Sequence, residues 1–387
     1  MIEGLIGGLF NGISIGAVLL IVALGLAIVF GLMGVINLAH GELMMLGAYT
    51  TYVVQNGANL IGGVAPEIYI LVALPLAFVV AALTGLALER WVIRYLYGRP
   101  LETLLATWGV SLILKQFVRS VNWAMVIGLV VFALLFFGGR WLIQKQRVLS
   151  PTIATVMGVL SGAIALVAGL IMNQSGSTAL SRAWFSARNV DVTAPSWLRG
   201  GLSLGTTLQF PYARLFIIVL TVLCLVGVYW FLQGSSWGLR IRSVTQNRTM
   251  SACMGIPTER VDALTFALGS GLAGIAGCAV TLLGSVGPNL GSNYIVDAFM
   301  VVVVGGVGKL VGSIVAAMVI GIITYLVGSG TLALLLAPYP AMSPVMDLFT
   351  FFATTSMAKV MVFALIIAFL QVRPAGMFPQ KGRTAEV

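Results

Sequence analysis

Apolar runs long enough to cross a lipid bilayer follow one another along almost the whole chain. A spanning helix needs roughly 20 mostly apolar residues, and a soluble fold could not cover this much apolar surface with polar groups. Only 8% of the residues are charged, whereas soluble domains have about 25%. Since no long polar block is left over, the sequence predicts one all-α polytopic integral membrane domain over residues 1–387.

The hydropathy pattern predicts about eleven transmembrane or partly spanning helices. The expected spans are residues 5–35, 41–57, 68–92, 103–121, 123–139, 149–172, 212–233, 260–284, 296–308, 311–336 and 357–372. Basic residues concentrate in cytoplasmic loops, and the basic clusters here alternate with the spans if the N-terminus lies outside and the C-terminus in the cytoplasm. This topology accounts for the net charge of +10, so nucleic acid is not expected as a partner.

The first of two unusual segments, residues 35–49, places polar side chains between two apolar runs. It contains Asn37, Glu42 and the only histidine of the chain, His40. A charged residue within a membrane segment usually faces a cavity or a partner, whereas a cytoplasmic turn would leave the same side chains in water. The residues alone leave both interpretations open.

The second unusual segment, residues 284–300, contains helix-breaking Gly-Pro and Gly-Ser-Asn sequences and carries Asn289, Asn293 and Asp297. A short helix beginning at Asn293 would turn its positive end towards the loop. Interrupted segments in corresponding parts of two halves indicate a transport site. The polar residues of both segments are therefore candidates for a substrate pathway.

Two long loops separate the predicted spans. Residues 173–211 form the longest external, periplasmic segment, and residues 234–259 form the longest and most basic cytoplasmic loop. Within that loop, Gln246–Met254 is predicted to form a short helix that stops at Gly255, with Pro257 beyond. This helix is either a simple connector or a docking site for another chain.

Catalytic and cofactor motifs do not occur. The chain has no phosphate-binding GxxxxGK[ST] loop, no acid pair spaced for hydrolysis and no Ser-His-Asp arrangement. Three scattered cysteines argue against a disulfide framework and a zinc site. The glycines at 269, 271, 274 and 277 match a dinucleotide loop by letter, but they lie in an apolar span and predict close helix packing. We expect no enzymatic activity, no metal and no cofactor.

Four stretches resemble the integral membrane subunits of ABC importers for branched-chain amino acids and related solutes. They are NGISIGAVLLIVALGLAIVFGLMGVINLAHGELMMLGAY (Asn11–Tyr49), GLRIRSVTQNRTMSACMGIPTERVDALTFALGSGLAGIAG (Gly238–Gly277), VVVVGGVGKLVGSIVAAMVIG (Val301–Gly321) and RPAGMF (Arg373–Phe378). Within the family, the chain is most similar to the urea-type permease. Three stretches carry this similarity, namely TMSACMGIPTERVDALTFALGSGLAGIAGC, GSVGPNLGSNYIVDAFMVVVVGGVGKLVG and ETLLATWGVSLILKQ. It departs from the common pattern at residues 123–172, where a two-helix insertion is expected.

The resemblance implies a multi-pass protein of the bacterial inner membrane, paired with a second, related permease chain. Two cytoplasmic ATPase subunits would bind the loop, and a periplasmic solute-binding protein would deliver the solute. The residues expected to couple the chain to the ATPases are Arg248, Met254, Gly255 and Ile256.

The expected function is import of a small polar solute, with urea as the main expectation and a branched-chain amino acid as the alternative. Urea suits backbone carbonyls and amide or carboxylate side chains, whereas an amino acid requires an apolar pocket and paired charges. The expected pathway residues are Asn37, His40, Glu42, Asn289, Asn293 and Asp297. A self-sufficient channel or an ion-coupled carrier is the alternative of another class, and a carrier would place several ionisable groups at mid-membrane.

Overall fold

The structure is a computed structural model that describes most of the chain. The described residues are 2–135, 160–164, 167, 184–185, 188–204, 208–331 and 350–378. The chain divides into two compact units, one made of residues 1–112 and 190–387 and the other of residues 113–189.

The described residues are mostly helical. The helices are α1 (Ile2–Met33), α2 (His40–Ile61), α3 (Ala65–Trp91), α4 (Pro100–Ser120), α5 (Trp123–Ala133), α6 (Tyr212–Gly234), α7 (Ser236–Gln246), α8 (Arg248–Cys253), α9 (Thr258–Thr281), α10 (Leu290–Gly305), α11 (Leu310–Gly328) and α12 (Thr355–Val372). Short 3-10 helices cover Ile93–Leu96 and Ser196–Leu198.

Six helices in the described part of the chain are long and apolar enough to cross a membrane, namely α1, α3, α4, α6, α9 and α11. Helices α10 and α12 are apolar but shorter. Helix α2 has 22 residues, but its polar residues set it apart from the apolar spans. The structure therefore supports a polytopic membrane protein, while the count of about eleven crossings and the orientation of the termini stay predictions.

Helices α1 and α9 form the interior of the larger unit. In their most apolar windows, 83% of α1 and 78% of α9 is buried within the protein. Helix α1 packs against α9, α10 and α11, and α9 packs against α2 and α3. Two helices that sequence alone would place in contact with lipid are thus mostly covered by other helices.

Glycines set the distance between the interior helices. A Cβ atom on Gly47 of α2 would overlap the backbone of Gly274 in α9, and a Cβ on Gly277 would overlap the carbonyl of Met44. Small residues at helix interfaces in membranes allow this close approach. The prediction that the glycines of α9 serve helix packing is confirmed.

A two-stranded antiparallel sheet adds to the helices. Strands β1 (Gly201–Leu204) and β2 (Leu208–Pro211) pair in a register that places Gly201 opposite Pro211. The expectation of an all-α fold is therefore wrong at this position. Both strands belong to the segment predicted to be external. Pairing the strands satisfies backbone N–H and C=O groups of this non-helical segment.

The chain before this hairpin is fastened to the ends of α2 and α3. Gln55 donates hydrogen bonds to the Thr193 carbonyl oxygen at 2.9 Å and to its side chain, and the Tyr69 hydroxyl donates to the same carbonyl at 2.9 Å. Ser196 donates to the Glu67 carboxylate from its backbone nitrogen at 3.0 Å. These bonds order the segment above one end of the helices.

The smaller unit contains the start of the predicted insertion. Helix α5 begins after Asn122, whose side chain accepts a hydrogen bond from the Met125 nitrogen at 2.8 Å. This N-cap satisfies one of the free donors at the helix start. The second inserted span, expected at residues 149–172, lies outside the described residues except for 160–164 and 167.

Candidate functional site

The first interrupted segment is folded into the interior of the larger unit. Helix α1 ends at Met33, and Gly34 follows with a φ of 66°. Asn37, His40 and Glu42 are each at most 1% exposed. The interpretation of a cytoplasmic turn with His40 and Glu42 in water is therefore wrong.

Hydrogen bonds hold this segment against its neighbours. The side-chain oxygen of Asn37 accepts from the Ala39 nitrogen at 3.0 Å, which fixes the turn that precedes α2. His40 Nε2 lies 3.1 Å from the carbonyl oxygen of Val22 in α1. Because a carbonyl can only accept, Nε2 carries the proton. His40 thus joins the start of α2 to the middle of α1.

The starts of α2 and α10 meet inside the protein. A Cβ atom on Gly41 would lie 3.0 Å from Ile295 Cβ and would overlap the Gly291 carbonyl, and one on Gly291 would lie 2.9 Å from Glu42 Cδ. The Glu42 carboxylate is in the first turn of α2 and accepts a hydrogen bond from Ser111 at 3.1 Å. Helix N-termini carry partial positive charge, so this buried carboxylate is stabilised by two of them.

The second interrupted segment differs from its prediction. Helix α10 begins at Leu290, three residues before the expected start at Asn293. The chain already turns at Gly287, because the Leu290 nitrogen donates a hydrogen bond to the Gly287 carbonyl oxygen. Asn289 and Asn293 are exposed, whereas Asp297 is buried. The structure therefore does not gather the six predicted pathway residues into one place.

Asp297 lies at a separate cavity with a residue that the sequence analysis missed. Lys359 Nζ of α12 donates to Asp297 Oδ2 at 2.7 Å and to the Asn293 carbonyl oxygen at 3.3 Å. Both side chains line a cavity of about 410 Å³ between α1, α10, α11 and α12. The available signal was a single lysine within the apolar run 357–372, which hydropathy assigned only to a membrane span.

The cytoplasmic loop forms two short helices. The predicted helix within Gln246–Met254 is confirmed as α8. Asn247 caps its start, since the Asn247 side-chain oxygen accepts a hydrogen bond from the Met250 nitrogen at 2.9 Å. At its end, the Gly255 nitrogen donates to the Ala252 carbonyl and the Ile256 nitrogen to the Ser251 carbonyl. This is a Schellman motif, which requires the left-handed conformation that Gly255 adopts at a φ of 79°.

The side chains of α8 divide into an exposed apolar part and an anchored basic part. Met250 in α8 is 61% exposed and Met254, the first residue after α8, is 77% exposed, so both are available to another surface. Arg248 instead forms an ion pair with Asp262 of α9 at 2.6 Å, and its guanidinium lies 4.8 Å from the ring centre of Tyr97. Of the predicted coupling residues, Arg248 therefore contacts its own chain.

Tyr97 connects this ion pair to α3. Its hydroxyl donates to Glu89 at 3.2 Å. Burial, together with the nearby carboxylates of Asp262 and Glu89, raises the pKa of Tyr97 above its ordinary value. The hydroxyl therefore keeps its proton and remains a donor. Among the described residues, no group of three or more His, Cys, Asp or Glu side chains could hold a metal ion.

Comparison with known proteins identifies the family. Residues 8–370 match the sequence model of a protein family that is described as "Branched-chain amino acid transport system / permease component". The chain belongs to this family. The permease is similar to the high-affinity branched-chain amino acid transport system permease protein LivH of Escherichia coli (strain K12), with 23% identity over 81% of this chain and 83% of that protein.

Two further relatives match the permease over similar lengths. The high-affinity branched-chain amino acid transport system permease protein BraD of Pseudomonas aeruginosa is 22% identical over 81% of this chain and 83% of BraD. The probable branched-chain amino acid transport permease protein LivH of Methanocaldococcus jannaschii is 25% identical over 80% and 78%. No solved structure matches the chain.

Family membership settles the broad biological role. The permease is a subunit of an ABC importer and a multi-pass inner-membrane protein, and its relatives are transport subunits rather than enzymes. Such a permease works with ATPase and solute-binding partners. The comparisons give no support to the urea-type assignment, and they favour the alternative in which the solute is a branched-chain amino acid.

Proposed function

We propose that this chain is the membrane-spanning subunit through which an ABC importer moves branched-chain amino acids into the cell. The observation that carries the proposal is the match to curated branched-chain amino acid permeases over about four fifths of both chains. The family model matches residues 8–370, a range that includes both interrupted segments and the loop with α8.

The helix arrangement supports a translocation role for the interior of the larger unit. Discontinuous helices whose N-termini meet near the middle of the protein are a feature of transporter sites. Here α2 and α10 begin inside the protein and approach each other at Gly41 and Gly291. The substrate pathway runs near this junction and includes Asp297, while Asn37, His40 and Glu42 hold the junction together.

The exposed side chains of Met250 in α8 and of Met254 directly after it support coupling to a separate motor. Met254, Gly255 and Ile256 dock on a cytoplasmic ATPase subunit, and Arg248 holds α8 in place for that contact. The complete importer contains a second, related permease chain, two ATPase subunits and a solute-binding protein on the opposite side. A self-sufficient channel or ion-coupled carrier would have no use for a fixed short helix with exposed methionines in its basic loop.

The test is uptake of radiolabelled leucine and urea by cells that contain or lack this chain, with all other importer components intact. We expect deletion to abolish leucine uptake and leave urea uptake unchanged, and the restored gene to recover leucine uptake. Loss of urea uptake alone would assign the chain to the urea-type branch. No change in either solute would reject both substrates.

A further inference from the structure

The cavity between α1, α10, α11 and α12 combines one pair of opposite charges with an apolar wall. Its wall includes Ile15, Leu19, Met300, Ile320, Val362 and Phe363. Its volume of about 410 Å³ lies within the roughly 300–1,000 Å³ of small-molecule sites. Apolar walls of aliphatic and aromatic side chains with a few placed polar groups are typical of such sites.

The charges are positioned at the cavity surface rather than sealed in the protein. The side chain of Asp297 is 10% exposed and that of Lys359 is 40% exposed. Ionisable side chains within membrane helices are costly and usually face an interior cavity. Lys359 therefore remains accessible to a ligand in the cavity while it is paired with Asp297.

From these observations we infer that the cavity is a binding site for the zwitterionic head and aliphatic side chain of an amino acid. Lys359 binds the carboxylate of the ligand, and Asp297 binds its ammonium group. The aliphatic side chain packs against the apolar wall. This assignment deepens the proposed function and rests on it.

Charge balance makes this exchange feasible in a membrane. The Asp297–Lys359 pair is neutral as a whole, and so is an amino acid at neutral pH. Binding replaces one ion pair by two, so no net charge enters the low-dielectric interior, where an unpaired charge is costly. The Asn293 carbonyl and the ring of Tyr294, 5.9 Å from Lys359 Nζ, already favour a cation at this end of the cavity. The ligand's ammonium group takes up these contacts as Lys359 turns to the carboxylate.

Urea fits the same cavity poorly for a chemical reason. It has no charge to separate the ion pair and no apolar part to cover the wall. A urea molecule would therefore leave the Asp297–Lys359 contact intact.

The decisive variant is the double substitution Asp297→Leu with Lys359→Met. Replacing a buried ion pair with apolar residues of similar size is often neutral or stabilising, so a purely structural pair is dispensable. We expect the variant to reach the membrane at the normal level and to melt no earlier than the wild type. In proteoliposomes with the complete importer, its ATP-driven leucine uptake falls at least tenfold. Wild-type uptake in the double variant would overturn the site.

A second variant tests orientation. Exchanging the charges, by Asp297→Lys with Lys359→Asp, restores a structural ion pair but reverses the polarity that the ligand meets. We expect leucine uptake to stay at least tenfold below wild type, and recovery to wild type would overturn the assignment. Glu102→Gln, which removes the exposed Arg99–Glu102 pair, is the matched control and keeps full uptake.

The wild-type complex separates this inference from the function on which it rests. If the wild type does not import leucine, the proposed function fails and the site fails with it. If the wild type imports leucine and both double variants do so equally well, the proposed function stands and only the site is overturned.

Discussion

The ion pair between Arg248 and Asp262 is expected to keep α8, the helix proposed to dock on an ATPase subunit, attached to α9. Asp262 has a side chain only 5% exposed, whereas that of Arg248 is 45% exposed. Breaking a fully buried pair costs about 3–5 kcal/mol. Because nearly half of Arg248 is already in water, we assign Arg248→Ala about 2 kcal/mol. The lost contact with the Tyr97 ring adds about 0.5 kcal/mol.

A total of about 2.5 kcal/mol changes an equilibrium constant by roughly 70-fold. We expect this shift to favour states in which α8 is detached from α9, so that ATP hydrolysis no longer drives transport efficiently. Asp262→Asn leaves Arg248 able to reach water, and it therefore costs less, about 1 kcal/mol. The order of the two effects follows from the unequal burial of the two partners.

The assay is leucine imported per ATP hydrolysed by the complete importer in proteoliposomes. Arg248→Ala should lower this ratio more than Asp262→Asn, and the exchanged pair, Arg248→Asp with Asp262→Arg, should recover part of it. Arg240→Ala, which removes a positive charge from neighbouring α7, serves as control and should leave the ratio unchanged. A larger effect of Asp262→Asn, or no recovery in the exchanged pair, would refute the reasoning.

Two further predictions concern packing and docking. Gly47→Ala would force α2 away from Gly274 and should cost about 1–3 kcal/mol. Gly57→Ala, in the same helix, meets no atom within 4 Å and should stabilise by up to about 1 kcal/mol because alanine favours the helix. Equal melting temperatures of the two purified variants would contradict the close approach. Met254→Asp places a charge on an exposed apolar surface, so it should lower transport per ATP without changing membrane level or melting temperature. Normal coupling in this variant would remove Met254 from the docking surface.

Sequence reasoning reached the helices because their signals are local. Apolar runs of bilayer length predicted α1, α3, α6 and α9, and the glycine after a short polar helix predicted the end of α8. The same reasoning missed the β1–β2 hairpin, since its strands have four residues each and leave little alternation to detect. The start of α10 was placed at Asn293 because hydropathy does not report the turn that already begins at Gly287.

The candidate sites depended much more on the fold. Asp297 and Lys359 are 62 residues apart in sequence, and no local pattern connects them. Arg248 was expected to couple the chain to an ATPase subunit on the family resemblance. Its ion-pair partner Asp262 lies in a different helix, and no local pattern connects the two residues. Asn289 and Asn293 are exposed whereas Asp297 is buried, although positions four apart lie on the same side of a helix. Burial therefore depends on which other elements cover each turn, and the sequence pattern of the segment does not report that.

The sequence by itself determined that this chain is an integral membrane protein, which of its segments are helical and which family it resembles. These properties follow from hydropathy and from short motifs, both of which are carried by neighbouring residues. Only the tertiary structure decided that His40 and Glu42 are buried, that α2 and α10 meet at their starts, and that Asp297 pairs with Lys359 at the wall of a cavity. Such contacts join helices that are distant in the chain, and the packing of whole helices is what brings them together.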